Sequence, residues 1–196
     1  MSWLTKLPER WLQFRLSWRF SGTFGGRNPV IPKHDMTSFY ATFRPEFERA
    51  GLLLGGIAWE LIATQAAVES NFGNSALAYK DNNYFGLTAG SWLGIDGKPK
   101  PGKSCVNYPT KEQNPDGTFR TENRWFRKFP SMAACIDNYV YVLGLGIYAK
   151  ALERARAGDA TAFFQELKNA GYASDQRYAV TLARRYLDFK SQEGLA

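Results

Sequence analysis

Apolar positions recur at helical spacing along most of this chain. Trp3, Leu4, Leu7, Trp11, Phe14 and Trp18 fall near a 3.6-residue period, with Lys6, Arg10, Arg15 and Arg19 between them. That pattern predicts a basic amphipathic extension, suited either to packing on a partner or to lying on a membrane surface. SGTFGGRNPVIP, residues 21–32, breaks the period with glycine and proline and reads as a linker. From Met36 the period returns. Phe39, Tyr40, Phe43 and Phe47 predict a helix capped by Thr37, interrupted at Pro45 and ended by Gly51. A second helix is predicted from about Ile57 to Ser70, with Ala58, Ile62, Gln65 and Glu69 on one face and Gly73 as the stop. The predicted division is residues 1–35 as extension and linker and residues 36–196 as one domain.

Beyond the second helix the pattern changes. KDNNYFGL, residues 80–87, is turn-rich, and GSWLGIDGKPKPGK is a Gly/Pro/Lys loop. CVNYPTKEQNPDGTFRTENRWFRKF then reads as a β-hairpin around the turn Asn114-Pro115-Asp116-Gly117. If Asn114 faces Gly117, Glu112 faces Phe119, Thr110 faces Thr121 and Tyr108 faces Asn123. Alternation then puts Glu112 on an uncharged face and Glu122 among Lys111, Arg120 and Arg124. Only Glu112 would look into a groove in that register. Two more helices follow. Ser131 caps the one bearing Met132, Cys135, Ile136, Tyr139 and Leu143, and Asp175 precedes the one bearing Ala179, Leu182, Ala183 and Tyr186.

Composition narrows the function classes. The net charge of +7 favours a polyanionic partner or surface, but the basic residues are scattered and match no nucleic-acid module, which sets nucleic acid aside. Cys105 and Cys135 fit no metal spacing, and whether they pair is left open; His34 is the lone histidine. A histidine-based metal site or catalytic triad therefore has little to work with. No run reaches the roughly 18 apolar residues of a membrane span. The N-terminal block has no uninterrupted apolar stretch and no small-residue cleavage site, so it does not read as a secretory signal.

The residue with the most chemistry is Glu69. A carboxylate in the last turn of a helix meets the negative end of the macrodipole, and apolar neighbours such as Ala66 and Phe72 desolvate it. Both effects favour the protonated form, which is what a glycosidase needs to protonate a leaving sugar oxygen. Spacing alone equally allows a Glu69 that reaches solvent past the helix end. Asp175 has its own structural reading as a helix cap, and Tyr172, after Gly171, one as a core residue, as does Tyr84.

AWELIATQAAVESNFGNSALA, NNYFGL, WFRKFPSMAACIDNYVYVL and AGYASDQRYA, taken together, resemble the glucosaminidases of glycoside hydrolase family 73. The likeness runs in order from about Thr37 to Phe189. It implies an α+β, predominantly helical, lysozyme-like domain whose β-hairpin lobe forms one wall of a substrate cleft. It implies that Glu69 is the catalytic acid and that Glu112 is the second acidic residue, from the hairpin. Tyr172 and Asp175 match a tyrosine and an aspartate beside the cleft, and Tyr84 and Phe85 an aromatic segment that helps to floor it. Asn71 and Phe72 stand where the family usually has Gly-Trp, a departure that falls on the sugar subsite beside Glu69. Thr88 stands where a lysine is frequent.

The implied reaction is hydrolysis of the β-1,4 bond after N-acetylglucosamine in peptidoglycan glycan strands, without metal or cofactor. Three other readings stay open: a muramidase or lytic transglycosylase on the same polymer, a non-catalytic wall-binding module, and a membrane-attached role built on the N-terminal block. A wall hydrolase without a secretory signal is expected to be made in the cytoplasm. It would reach the wall or periplasm by another export route or by lysis-linked release. If it is an injected antibacterial toxin, the producing cell needs a cognate protein inhibitor, an immunity protein.

Overall fold

The computed structural model describes residues 34–114, 118–173 and 175–192, with the backbone alone at 111–113 and 119. The amphipathic block at residues 3–18 and the linker at 21–32 lie outside the described residues. Helix α1 spans Met36–Leu53, α2 Trp59–Ser70 and α3 Ala76–Asp81, followed by strands β1 (Cys105–Gln113) and β2 (Phe119–Arg127). Helices α4 (Met132–Leu143), α5 (Ala149–Arg156), α6 (Ala160–Asn169) and α7 (Tyr178–Gln192) complete the fold. The domain is thus mainly helical with one two-stranded antiparallel sheet among the described residues, as the sequence predicted.

Helix α2 is buried along most of its length, with α1 and α7 packed against it. Only Trp59 and Val68 along it are even partly exposed. Ala63, Ala66 and Ala67, all buried, keep its surface thin, so α1 and α7 approach closely. A helix surrounded on all sides needs no polar face, which explains its nearly unbroken run of apolar and small residues. Many aromatic side chains go into this core: Phe39, Phe47, Phe85, Tyr139, Tyr148, Phe163, Phe164, Tyr172, Tyr178 and Phe189 are fully buried.

Helix boundaries depart from the sequence reading in small, explicable ways. Asp35, not Thr37, caps α1: its Oδ1 accepts from Ser38 N at 2.8 Å, and Ser38 Oγ accepts from Asp35 N at 3.0 Å, closing a reciprocal box. Pro45 does not interrupt α1, which runs past Gly51 to Leu53. Ser131 caps α4 as predicted, accepting from Ala134 N at 3.3 Å. Cys105 and Cys135 are both free thiols.

The larger correction concerns the hairpin. Asn114 N donates to Thr118 O at 2.7 Å, so Asn114 faces Thr118 and not Gly117 as expected from sequence. Each strand partner consequently moves by one: Glu112 pairs with Arg120, Thr110 with Glu122 and Tyr108 with Arg124. A one-residue slip exchanges faces. Positions 112 and 122 therefore share a face with Tyr108, Arg120, Arg124 and Phe126, and the basis for separating the two glutamates by face is gone. This is the less exposed face, since Glu122 and Arg124 are partly buried while Thr121 and Asn123 are exposed.

Candidate active site

Glu69 lies one residue from the end of α2 and is 6% exposed, so it does not reach out past the helix end. Burial raises its carboxyl from the ordinary 4.5 to about 8, against a smaller lowering by a hydrogen bond from Tyr178. The group is thus a neutral acid at pH 7, held in the folded core at the point where α2 stops. Tyr178, the first residue of α7, donates its hydroxyl to Glu69 Oε1 at 3.1 Å. The Tyr178 oxygen in turn accepts from Gln65 Nε2 at 2.9 Å, and Gln65 Oε1 accepts from the Tyr139 hydroxyl of α4 at 2.5 Å. Helices α4 and α7 thus meet α2 in this buried chain of hydrogen bonds, through residues 74 and 109 positions from their partners.

The second carboxyl oxygen of Glu69 borders Gly86, where a Cβ would stand 3.5 Å from Oε2. Gly86 has a φ of +62°, in the left-handed region that favours glycine. The loop that carries it is stapled by Asn83, a fully buried side chain. Its Nδ2 donates to Leu87 O at 2.9 Å and to Arg127 O at 2.8 Å, while Oδ1 accepts from Leu87 N at 2.9 Å. Leu87–Ala89 then runs beside β2, with Arg127 N donating to Leu87 O and Ala89 N to Trp125 O. One continuous segment therefore joins the acid to the hairpin.

The backbone that follows Glu69 at the end of α2 is strained. Asn71 and Phe72 have φ of 52° and 55°, and Gly73 continues at 75°. The stop accordingly begins at Asn71, two residues before the glycine expected from sequence. Asparagine tolerates this region; a bulky aromatic in it is an outlier of the kind that surrounding structure must over-determine. Phe72 is held edge-on to Phe39, with the Arg185 guanidinium 5.4 Å from its ring centre. Both residues follow Glu69 directly, Asn71 exposed and Phe72 partly so.

The other residues singled out in the sequence are placed less uniformly. Tyr84 is buried against Phe43 and Phe39. Phe85 stacks on Tyr139 with ring centres 3.8 Å apart and presents no face to solvent, so it underpins the loop from below. Tyr172 is buried as well, donates to Phe85 O at 3.2 Å and lies parallel to Tyr178. Asp175 is partly exposed and accepts from Arg177 N at 2.8 Å, which shapes the turn into α7. That is a turn ahead of α7 and not the helix cap expected from sequence, because the donor Arg177 lies outside the helix. Glu122 is bound by Arg124 at 2.5 Å and Arg120 at 3.4 Å; partial burial pushes its carboxyl up, but these partners outweigh it and leave it below the ordinary range. Tyr178, Tyr139 and Asn83 were not singled out for the site; Tyr178 stood inside the quoted block AGYASDQRYA, one turn past Asp175.

A mainly helical body with a lateral hairpin, and a buried neutral glutamic acid ending its central helix, define a lysozyme-like glycoside hydrolase domain. More specifically, the chain belongs to the glucosaminidase family, whose model, described as mannosyl-glycoprotein endo-β-N-acetylglucosaminidase, matches residues 45–191. It is 30% identical over 164 residues to the peptidoglycan hydrolase FlgJ of Pseudomonas aeruginosa, covering 81% of this chain and 38% of that protein. The chain thus spans less than half the length of the curated relatives it matches. Among solved structures it is similar to a peptidoglycan hydrolase mutant from Sphingomonas sp. A1, with a TM-score of 0.64 and 25% identity over 80% of this chain and 98% of that one. It also shares the fold of a chain in a type VI secretion system effector–immunity complex from Pseudomonas protegens, with a TM-score of 0.56 and 19% identity over 81% and 94% of the two chains.

Proposed function

We propose that this domain hydrolyses the β-1,4 bond after N-acetylglucosamine in peptidoglycan glycan strands, with Glu69 as general acid. The observation that carries the reading is the Glu69 carboxyl itself, kept protonated by burial at the end of α2 and aligned by Tyr178. In the reaction its proton passes to the glycosidic oxygen as the C–O bond breaks, and an oxocarbenium-like sugar develops on the other side. Glu112 is proposed as the second carboxylate, activating water or steadying that cation. Its support is the family pattern, together with a backbone position on the less exposed hairpin face. Asn71 and Phe72 would meet the sugar beside the acid.

Product analysis tests the reading. Digested peptidoglycan should show new reducing N-acetylglucosamine ends. Anhydromuramyl or reducing N-acetylmuramic acid ends would transfer the chain to the transglycosylases or muramidases, and binding without release would make it a wall-binding module. The fold shared with a chain from an effector–immunity complex, and a net charge of +7 suited to an anionic envelope, support a further part of the proposal. The domain acts as an antibacterial effector in a rival's periplasm, and an immunity protein restrains it. Expression directed to the periplasm of a Gram-negative host should lyse the cells, and Glu69→Gln should abolish the lysis; harmless periplasmic expression of active protein would overturn it.

A further inference from the structure

We infer that Gln65, held by Tyr139, is a positioning residue that keeps the transferable proton of Glu69 on Oε2 by fixing the direction of the hydrogen bonds between α4, α2 and α7. The inference rests on the reading of Glu69 as general acid. Tyr178 has a single O–H. Its oxygen already receives the Gln65 Nε2–H at 2.9 Å, so its own proton points to Glu69 Oε1 at 3.1 Å. A carboxyl oxygen that accepts a phenolic proton is the wrong one to carry the acid's own proton. The neutral carboxyl therefore places it on Oε2, the oxygen that borders Gly86.

The opposite polarity can be written down, and its cost shows what Tyr139 does. If the Gln65 amide turned over, its oxygen would take the Tyr178 proton, the Tyr178 lone pairs would face Oε1, and Glu69 would donate inward, away from the sugar. The turned amide would also present N–H to the Tyr139 hydroxyl, which now donates to Gln65 Oε1 at 2.5 Å. That O–H would lose its acceptor in a fully buried place, against the ring of Phe85. Leaving a buried donor unmade is expensive enough to bias the two polarities by about tenfold or more. Tyr139 thus anchors the amide, the amide directs Tyr178, and Tyr178 directs the acid.

Among the described side chains, those coupled electrostatically to Glu69 are phenols: Tyr139 from α4, and Tyr172 and Tyr178 from the approach to α7 and its first turn. Tyr148 and Cys135 lie beyond them, and burial pushes all five groups upward. None of these neighbours therefore titrates where Glu69 does, so the alkaline limb of a pH–rate profile reports Glu69.

The test uses the full chain on soluble, uncrosslinked glycan strands, with kcat and KM measured across pH. Gln65→Met removes the amide donor, and Tyr139→Phe removes only its anchor while keeping the ring stacked on Phe85, so the second variant answers even if the first folds poorly. Tyr139→Phe frees the amide to turn and should lower kcat about tenfold with little change in KM. In Gln65→Met the Tyr178 O–H keeps Glu69 Oε1 as its acceptor, so kcat should fall less. Both should also move the alkaline limb upward, because an unpolarised Tyr178 hydroxyl stabilises the carboxylate less. Tyr178→Phe should raise the limb by about one pH unit, and adding Gln65→Met to it should raise it no further, since both act through one hydroxyl. A lower kcat with an unmoved limb, or shifts that add, would overturn the inference and leave Glu69 as the acid. Near-normal turnover by Glu69→Gln would overturn the reading beneath it.

Discussion

Replacing Glu69 by glutamine should flatten the dependence of folding stability on pH, by an amount set by where the carboxyl sits. In the folded protein burial raises this group from 4.5 to about 8. In the unfolded chain water returns it to the ordinary value. Below about pH 4.5 both states keep the proton, and the group imposes no penalty on folding. Between pH 4.5 and about 8 the unfolded chain releases the proton while the folded one retains it. Folding stability then falls as pH rises, by about 1.4 kcal/mol per unit. Across an interval of 8 − 4.5, about 3.5 units, the loss is on the order of 5 kcal/mol. That is a large part of the roughly 5–15 kcal/mol that holds a typical domain folded. Glutamine keeps an oxygen for the Tyr178 hydroxyl and does not ionise. Urea unfolding of both proteins at about pH 5, 6, 7 and 8 should therefore show the glutamine variant gaining on the wild type by about 1.4 kcal/mol for each unit. Parallel stability curves would mean that the Glu69 carboxyl is solvated and ordinary, and the general-acid reading would lose its physical basis.

The same substitution should reduce turnover at neutral pH by at least the roughly 10²–10⁴ that general acid catalysis supplies, as read by reducing-sugar release. Glu112→Gln should cost more activity than Glu122→Gln, because Glu122 is already engaged by Arg120 and Arg124; the reverse order in the same assay would move the second role to Glu122. Asn83→Ala strips the buried staple from the backbone of Leu87 and Arg127, and should lower stability by about 2–4 kcal/mol in urea or thermal unfolding. Gly86→Ala forces a Cβ onto a left-handed residue beside Glu69 Oε2, costing about 1–2 kcal/mol of stability. It should also lower kcat well below the unfolding range, where a loss confined to stability would leave kcat unchanged.

What the sequence made legible is what is local to an element. The buried helix could be read from about Ile57 to Ser70 because a 3.6-residue period and a nearby glycine are both written within a short stretch. Its glutamate was half legible: helix end and apolar neighbours lie in the same short stretch, but spacing alone equally allowed a Glu69 that reaches solvent, and only the fold shows it buried. The hairpin was legible as a hairpin but not in register. Asn-Pro-Asp-Gly admits a connection of two residues or three, and only the Asn114–Thr118 backbone bond decides between them. The cost of that single residue was large, because alternation converts a slip of one into an exchange of faces. Asn83 illustrates the same limit. In sequence it is one polar residue in a turn, and nothing there tells that it is spent on the backbone of a strand 44 residues away.

The proton chemistry of the site lies further still from what a linear pattern can show. Gln65 was placed on the face of Glu69 by spacing alone, but a glutamine on the buried face of a helix is unexplained until its partners are known. They come from α4 and α7, 74 and 113 residues away, and each supplies only a hydroxyl at the end of a ring that would otherwise count as core. Tyr139 and Tyr178 are indistinguishable from packing residues by period, by neighbours and by burial. Their hydroxyls matter because the low dielectric around them makes every unmet donor costly, so a glutamine between two phenols has one favourable orientation. On the reading of Glu69 as general acid, its proton is then aimed by a constraint that begins on a third helix. Burial alone would keep Glu69 protonated, whereas the proposed path from Tyr139 through Gln65 to Tyr178 would set the direction in which its proton faces.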